Sequence, residues 1–285
     1  MTQAALQAFR SALPPRSVLY VPADRPRAIE RARGLPCDAL ILDLEDAVSL
    51  SQKVAARRGA AQALRQGGFG KPALLRLNGL DTPDFQPDLE LALLSAPAGI
   101  VLPKAEDPEA VRELHLGVPL WLMIETPLGV LRASQLAAVP GVAGLIAGAN
   151  DLLLGLRARA TPDRLPLLHA LSAVVLASRA AGVVALDAVY NDLQNLAGLE
   201  AECLQGRDLG FDGKTLIHPD QIGAANRAYG VSSEEAQAAR EVLSAWEEAA
   251  AQGLGVTRHA GTMIEALHAR QAAQTLWRWD SENGT

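Results

Sequence analysis

The chain has 285 residues, 49% of them hydrophobic and 20% charged, so it is long enough to bury a full core without disulfides or structural metals. Its 26 Lys and Arg residues and 32 Asp and Glu residues give a formal net charge of −6, which argues against a general nucleic-acid-binding surface. The two cysteines, Cys37 and Cys203, form no disulfide framework or metal motif and predict reduced thiols in a cytoplasmic protein.

The first sixteen residues, MTQAALQAFRSALPPR, lack the basic start and long apolar run of a targeting signal. The longest uncharged stretch, residues 133–150, carries Pro140 and three glycines and is too polar and broken to span a bilayer. We therefore expect a cytoplasmic protein with no membrane partner and no nucleic-acid partner.

Short aliphatic runs and helix-like segments alternate along the first 230 residues. The runs predict eight strands, at 17–21, 39–42, 73–77, 99–102, 120–124, 142–147, 183–186 and 215–217. The helix-like segments lie at 25–33, 51–66, 87–95, 108–115, 128–138, 164–181, 191–205 and 219–228. Eight parallel βα units predict a (β/α)8 (TIM) barrel over residues 1–230. An open doubly wound sheet is the alternative, but VPAD after the first strand is not its glycine-rich phosphate fingerprint.

The pattern changes in residues 231–285, which predict a C-terminal helical extension. Ser232 and Glu235 form a capping-box signature for a first helix. A linker at 253–261 separates it from a second helix predicted at 263–279. Three of the four tryptophans lie in this extension, so we expect it to dock on the barrel or on a neighbouring subunit.

Active sites of (β/α)8 barrels form at the C-terminal ends of the strands, where this sequence places many polar residues. They are Tyr20, Asp43, Glu45, Asp46, Arg76, Asn78, Lys104, Glu125, Asp151, Asp187 and His218. Glu125 and Asp151 follow neighbouring apolar strands, and such a carboxylate pair suits Mg²⁺, which keeps further positions for water and substrate. Alternatively, Glu125 binds a loop amide and Asp151 caps the next helix.

The role of Arg76 is open between two interpretations. It could bind a substrate carboxylate or stabilise an oxyanion, or it could be a structural partner of Glu45 or Asp46. Asp43 and Glu45 share a direction at the strand end, so they could orient the waters around a metal or pair with Arg76.

Four arginines, at positions 25, 27, 31 and 33, cluster on and before the first predicted helix of an otherwise acidic chain. The cluster could bind the phosphates of a large cofactor such as coenzyme A, or it could be a solvated face. The histidines and cysteines show no zinc or hydrolase motif.

Eight segments between residues 16 and 224 form an ordered set of motifs. They are RSVLYVPADRPRAIERA, LILDLEDAV, LLRLNGLDT, GIVLPKAED, LMIETPLGV, AGANDLLLGL, ALDAVYNDL and GFDGKTLIHPDQI. Together they resemble the HpcH/HpaI aldolase and citrate lyase beta-subunit family, in particular its CitE-like branch. The resemblance implies a (β/α)8 barrel, usually a homotrimer, that uses Mg²⁺ to make or break a carbon–carbon bond next to an acyl thioester.

The resemblance also implies roles for particular residues. Glu125 in MIETP and Asp151 in GANDL match metal ligands, and Arg76 in LLRLN matches the substrate-binding arginine, with Glu125 also next to the substrate. Glu45 and Asp46 are expected to assist catalysis beside Arg76. The expected coenzyme A contacts are Tyr20, Arg27 and Arg31, with Ile217 and His218 near the nucleotide.

A further catalytic residue is expected in the extension. Relatives carry a GxMIDxP motif whose Asp acts as acid or base in a neighbouring chain's active site, and this sequence reads GTMIEAL from Gly261 to Leu267. Glu265 replaces the Asp and can transfer the same proton with one more methylene.

The expected activity is Mg²⁺-dependent cleavage of citryl-CoA, citramalyl-CoA or malyl-CoA into acetyl-CoA and a 2-oxo acid, or the reverse condensation. One alternative is an HpaI-like pyruvate aldolase for free acids, which would not need the arginine cluster or the extension. The altered GTMIEAL motif motivates a second alternative function, that of a citrate lyase beta-type subunit that acts only with an acyl carrier protein partner.

Overall fold

The structure is a computed structural model that describes residues 13–114 and 117–283. The first twelve residues, which belong to the stretch that predicts no targeting signal, lie outside the described residues, as does the end of the helix predicted at 108–115. The described chain divides after Asn226 into two compact units. None of the helices in the described ranges has both the length and the hydrophobicity needed to cross a membrane.

The first unit contains a closed barrel in which each strand pairs in parallel with the next and β8 pairs with β1. The strands are β1 (Ser17–Pro22), β2 (Ala39–Asp43), β3 (Ala73–Arg76), β4 (Gly99–Leu102), β5 (Leu120–Ile124), β6 (Val142–Ala147), β7 (Val184–Asp187) and β8 (Gly213–Leu216). The helices are α1 (Pro26–Arg33), α2 (Lys53–Gln66), α3 (Phe85–Ser95), α4 (Pro108–Glu113), α5 (Pro127–Leu131), α6 (Ala133–Ala137), α7 (Ala149–Leu156), α8 (Leu168–Ala181), α9 (Leu196–Leu209) and α10 (Ile222–Tyr229). The predicted (β/α)8 barrel is confirmed. The division between the two compact units falls within α10, after Asn226, whereas the predicted domain boundary lies after residue 230.

Two predicted elements differ for local reasons. The helix predicted at 128–138 is two helices, because the backbone of Arg132 between α5 and α6 is not helical, with φ −105° and ψ 8°. Strand β8 begins at Gly213 and includes the charged Lys214, which the aliphatic pattern excluded. Lys214 is fully buried because its Nζ lies 3.0 Å from an Asp187 carboxylate oxygen and 2.7 Å from one of Glu202.

A cluster of buried apolar side chains, among them Trp121 and Ile146, packs inside the barrel. Trp121 is 1% exposed, and its ring occupies the space that a side chain at Gly144 would need. A Cβ atom at Gly144 would lie 2.4 Å from Trp121 Cζ3, far inside van der Waals contact. The glycine in β6 therefore makes room for the largest side chain of the core.

We expect Gly144→Ala to lower the free energy of unfolding by about 1–3 kcal/mol, because the added methyl group overpacks the core against Trp121. Urea unfolding followed by circular dichroism measures this loss. Gly34→Ala is the matched control, since a Cβ there meets nothing within 4 Å and φ is −89°. Equal stability of the two variants would contradict the prediction.

The second unit contains α11 (Ser233–Ala251), β9 (Thr257–His259), β10 (Thr262–Ile264) and α12 (Ala266–Asn283). The predicted capping box of α11 is confirmed, because the Glu235 amide donates to Ser232 Oγ and the Ser232 amide donates to the Glu235 carboxylate. The predicted linker and helix start are wrong. Strands β9 and β10 form an antiparallel hairpin across Ala260 and Gly261, whose φ angles of 46° and 83° suit a two-residue hairpin turn.

Candidate active site

A pocket of about 290 Å³ opens at the C-terminal ends of the barrel strands. The structure brings together there seven residues predicted for the site, namely Tyr20, Asp43, Asp46, Arg76, Glu125, Asp151 and Ile217. Other lining residues include Met123, Gly148, Asn150 and Asn191. The described lining of the pocket therefore contains four acidic side chains and a single arginine.

Arg76 is held by Asp43, which lies opposite it in the register of β2 and β3. Asp43 is fully buried, and its two carboxylate oxygens accept from Arg76 Nε at 2.7 Å and from an Arg76 terminal nitrogen at 2.6 Å. The amides of Glu45 and Ala47 donate to the same carboxylate. This two-point pairing fixes the plane of the guanidinium.

The remaining terminal nitrogen of Arg76 lies 2.8 Å from Glu45 Oε2 and 4.0 Å from Asp46 Oδ2. Glu45 is buried, whereas the Asp46 side chain is 60% exposed. The guanidinium also lies over the Tyr20 ring, 4.7 Å from its centroid. The structure therefore contains the predicted pairing of Asp43 and Glu45 with Arg76. Arg76 also lines the pocket, so its predicted contact with a substrate stays a prediction.

Glu125 follows β5 and is 2% exposed. Its Oε1 accepts a 2.7 Å hydrogen bond from the Lys104 amide, so the expected contact with a loop amide is present. Gly148, which follows β6, packs directly on this side chain, because a Cβ there would lie 2.6 Å from Glu125 Oε2. One carboxylate oxygen is thus fixed by the amide, and the lack of a side chain at position 148 makes room for the other.

The pKa of Glu125 is raised to about 7, mainly by burial and also by the negative charges of Glu45 and Asp151, against the lowering effects of the Lys104 amide and of Arg76. Asp151 lies in the first turn of α7, a helix that begins after Gly148 without a side-chain cap. Glu125 and Asp151 thus bring two carboxylates to one pocket, and a positive charge there would favour the ionised form of Glu125, so the pair is a suitable set of ligands for a divalent cation.

The fit to Mg²⁺ follows from the kind and number of these donors. In the described ranges, no group of three or more His, Cys, Asp or Glu side chains is arranged to hold a metal by itself. Mg²⁺ is commonly bound through one or two carboxylates and keeps several waters or substrate oxygens, so the Glu125 and Asp151 pair fits it.

Five of the residues assigned a role from the sequence do not line the pocket, and one of them is Glu45, which contacts Arg76 from outside the lining. Arg27 and Arg31 are exposed on α1. His218 caps the short helical turn after β8, where its Nδ1 accepts from the Asp220 amide at 3.3 Å. Glu265 lies in the second unit directly before α12, where its amide donates to His268 Nδ1 at 3.0 Å. Their predicted roles stay predictions.

Sequence reasoning gave no role to two residues that shape the site. Gly148 makes room for Glu125, and the only available signal was a glycine at the end of an apolar strand. The sequence places Lys104 at a strand end, but the direction of its amide depends on a left-handed backbone conformation that the sequence does not reveal.

A (β/α)8 barrel that places an arginine and two carboxylates in one pocket at its strand ends has the architecture of a barrel enzyme, in which the active site lies at this face. Residues 16–219 match the model of the HpcH/HpaI aldolase/citrate lyase family, and the chain belongs to this family. The family resemblance of the sequence motifs is confirmed.

Two curated relatives and one solved structure place the chain within that family. It is 45% identical over 267 residues to "(3S)-malyl-CoA thioesterase" of Cereibacter sphaeroides (strain KD131 / KCTC 12085), covering 92% of this chain and 94% of the relative. It is 34% identical over 266 residues to "Citrate lyase subunit beta" of Escherichia coli (strain K12), covering 88% of each. The structure of CitE from Mycobacterium tuberculosis in complex with magnesium, acetoacetate and coenzyme A aligns with a TM-score of 0.82 and 32% identity over 94% of this chain and 98% of that one.

Proposed function

We propose that this chain is a Mg²⁺-dependent carbon–carbon lyase for a β-hydroxyacyl thioester of coenzyme A such as citryl-CoA, citramalyl-CoA or malyl-CoA. The products are acetyl-CoA and a 2-oxo acid. The observation that carries the proposal is the pocket in which the Glu125 and Asp151 carboxylates lie with the Arg76 guanidinium. The similarity to CitE, which was solved with magnesium, acetoacetate and coenzyme A, supports both the cation and the thioester.

Glu125 and Asp151 would hold Mg²⁺, which supplies Lewis-acid polarisation of the substrate's hydroxyl and carboxylate oxygens. Arg76 would stabilise the negative oxygen that the thioester carbonyl acquires when the carbon–carbon bond breaks. Asp43 keeps the guanidinium in one orientation, so the donor is in place before the charge develops. We assign Glu45 and Asp46 to orient the substrate hydroxyl beside Arg76.

Two protons move in this reaction. The hydroxyl group loses a proton as it becomes the carbonyl of the 2-oxo acid, and the acetyl carbon takes one up after the bond breaks. We assign the transfer at the acetyl carbon to Glu265 from a neighbouring chain of a homotrimer, as the family motif implies.

The coenzyme A portion is assigned to the side of the barrel formed by β1 and β8. Tyr20 and Ile217 line the pocket there, and Ile217 is 39% exposed at its edge. Arg27 and Arg31 are exposed on the helix after β1, where their charges can meet phosphates. His218 follows Ile217 directly, next to the proposed nucleotide position.

Hydrolysis of the thioester is the second candidate function, because the relative that is 45% identical is named a malyl-CoA thioesterase. The same pocket can serve it if water attacks the thioester carbonyl while Arg76 stabilises the resulting negative oxygen. The two functions differ in which bond breaks, so their products separate them.

The test is to incubate the protein with citryl-CoA, citramalyl-CoA and malyl-CoA, each with Mg²⁺ or with EDTA. The 2-oxo acid is trapped as its phenylhydrazone, and free coenzyme A thiol is measured with a disulfide reagent. A 2-oxo acid without free thiol, formed only with Mg²⁺, supports the lyase, whereas free thiol without a 2-oxo acid establishes hydrolysis.

Three other outcomes contradict the proposal. Turnover of the free hydroxy acids at the rate of their thioesters would favour the pyruvate aldolase. Turnover of a thioester only when it is attached to an acyl carrier protein would favour the citrate lyase beta-type subunit. If none of these substrates gave a product, both the lyase and the hydrolase hypotheses would be rejected.

We expect Mg²⁺ binding to strengthen about tenfold per pH unit below pH 7 and to level off above it. The reason is that the cation competes with the proton on Glu125, whose pKa in the metal-free protein is raised to about 7 by burial and by its acidic neighbours. Isothermal titration calorimetry between pH 5.5 and 8.5 measures the dissociation constant. The same affinity across this range would rule out Glu125 as the titrating ligand.

A further inference from the structure

Lys104 adopts a backbone conformation that L-amino acids rarely adopt. It follows β4 at the pocket end of the barrel, and its φ angle is +51°. A left-handed conformation at a non-glycine residue is disfavoured and is retained where surrounding contacts require it. The neighbouring backbone supplies such contacts, because the Ala105 amide donates to the Met123 carbonyl at 3.2 Å.

Lys104 contacts two different acidic side chains, one through its backbone and one through its side chain. The amide donates to Glu125 Oε1 at 2.7 Å, and the ammonium donates to Glu45 Oε1 at 2.8 Å. The other oxygen of Glu45 lies 2.8 Å from Arg76. Lys104, which does not line the pocket, therefore contacts the proposed metal ligand Glu125 with its backbone. Its side chain contacts Glu45, the partner of the proposed substrate-binding Arg76.

The two contacts have separate consequences. The amide occupies Oε1, so the second oxygen of Glu125 is left toward Gly148 and the pocket. The ammonium lies 2.8 Å from Glu45 Oε1 while Arg76 lies 2.8 Å from Glu45 Oε2, so this carboxylate lies between the two cations.

We propose that Lys104 is a positioning residue whose backbone amide orients Glu125 for the cation and whose ammonium sets the Glu45 carboxylate against Arg76. The inference rests on the proposed Mg²⁺ site and extends it to a residue that does not itself touch substrate or metal. The two contacts can be removed one at a time, because only the first depends on the left-handed backbone.

Three substitutions separate the contacts. Lys104→Arg keeps a cation of similar reach, and Lys104→Gly removes the ammonium but adopts positive φ readily. Lys104→Val also removes the ammonium, and its branched side chain disfavours positive φ. The comparison of the glycine and valine variants therefore isolates the amide contact, since neither has a charge at this position.

The readouts are the Mg²⁺ dissociation constant without substrate, kcat, and crystal structures of the variants. We expect Lys104→Arg to keep the Mg²⁺ dissociation constant and kcat within about threefold of the parent, because arginine can also donate a charge-assisted hydrogen bond to Glu45. Lys104→Gly should keep the Mg²⁺ affinity within about threefold and lower kcat at least about tenfold. Lys104→Val should bind Mg²⁺ at least about tenfold more weakly than Lys104→Gly, the range seen when partners of metal ligands are removed.

Equal Mg²⁺ affinities of the glycine and valine variants would overturn the amide role, and an unchanged kcat of the glycine variant would overturn the ammonium role. If the parent protein binds no Mg²⁺, the proposed function fails, but the crystal structures still decide the inference. A Glu125 carboxylate that keeps its position in the valine variant would then refute it, whereas displacement in that variant alone would support it.

Discussion

Replacing Glu125 with glutamine should lower kcat/KM for the thioester substrate about 10³-fold, because loss of a metal ligand removes several kcal/mol of transition-state stabilisation. Glutamine has the shape of glutamate, so the hydrogen bond from the Lys104 amide to the Oε1 position can persist. What changes is the charge of the ligand next to Asp151. Steady-state kinetics over a range of Mg²⁺ concentrations, together with calorimetric Mg²⁺ binding, measure the effect.

The loss of activity should not come from unfolding. The pKa of Glu125 is raised to about 7 in the folded protein, mainly by burial and also by Glu45 and Asp151, whereas an unfolded chain gives about 4.3. The folded state therefore holds this proton more tightly, and ionisation of Glu125 lowers the free energy of unfolding as the pH rises between these values. Without Mg²⁺ at pH 8, Glu125→Gln should be at least as stable as the parent protein.

A matched control is Glu109→Gln, which makes the same chemical change on the exposed surface of α4. This control should keep both activity and Mg²⁺ binding. Mg²⁺-dependent turnover in Glu125→Gln within tenfold of the parent would remove Glu125 from the metal site.

The positions of the candidate site residues were predictable because parallel barrel strands bring their carboxyl ends to one face. Tyr20, Arg76, Glu125 and Asp151 each follow or end an apolar run, so the strand pattern alone placed them at the same pocket. The partner of Arg76 was less predictable. Three acidic residues lie within four positions at the end of β2, and only the register that sets Asp43 opposite Arg76 gives it the two-point contact.

The extension was predicted less well than the barrel, for a local reason. The hairpin strands β9 and β10 have three residues each, too few for a visible alternation of polar and apolar side chains. Their turn contains Ala260 at positive φ, where Asn or Asp is the usual signal. The apolar Met263 and Ile264 therefore resembled the start of a helix that in fact begins at Ala266.

Replacing Arg76 with lysine should lower kcat/KM about 10²–10³-fold, the cost of losing a donor to a developing negative oxygen. Arginine binds Asp43 with two nitrogens and still presents a third toward Glu45 and the pocket. A lysine ammonium is a single point of charge and cannot keep a planar fork to Asp43 while it reaches the substrate. Kinetics with the thioester that the product assay selects measures the loss.

Stability has to be separated from catalysis in this variant, because Asp43 is fully buried and loses its two-point contact. Arg57→Lys is the matched control, since Arg57 also pairs with a fully buried aspartate, its Nε lying 2.6 Å from Asp88 Oδ1, and it does not line the pocket. Both variants should lose comparable free energy of unfolding in urea, but only Arg76→Lys should lose activity at a temperature where both are folded. If the two variants keep the same kcat/KM, Arg76 serves Asp43 and Glu45 as a structural partner alone, and the negative oxygen of the reaction must be stabilised by another group.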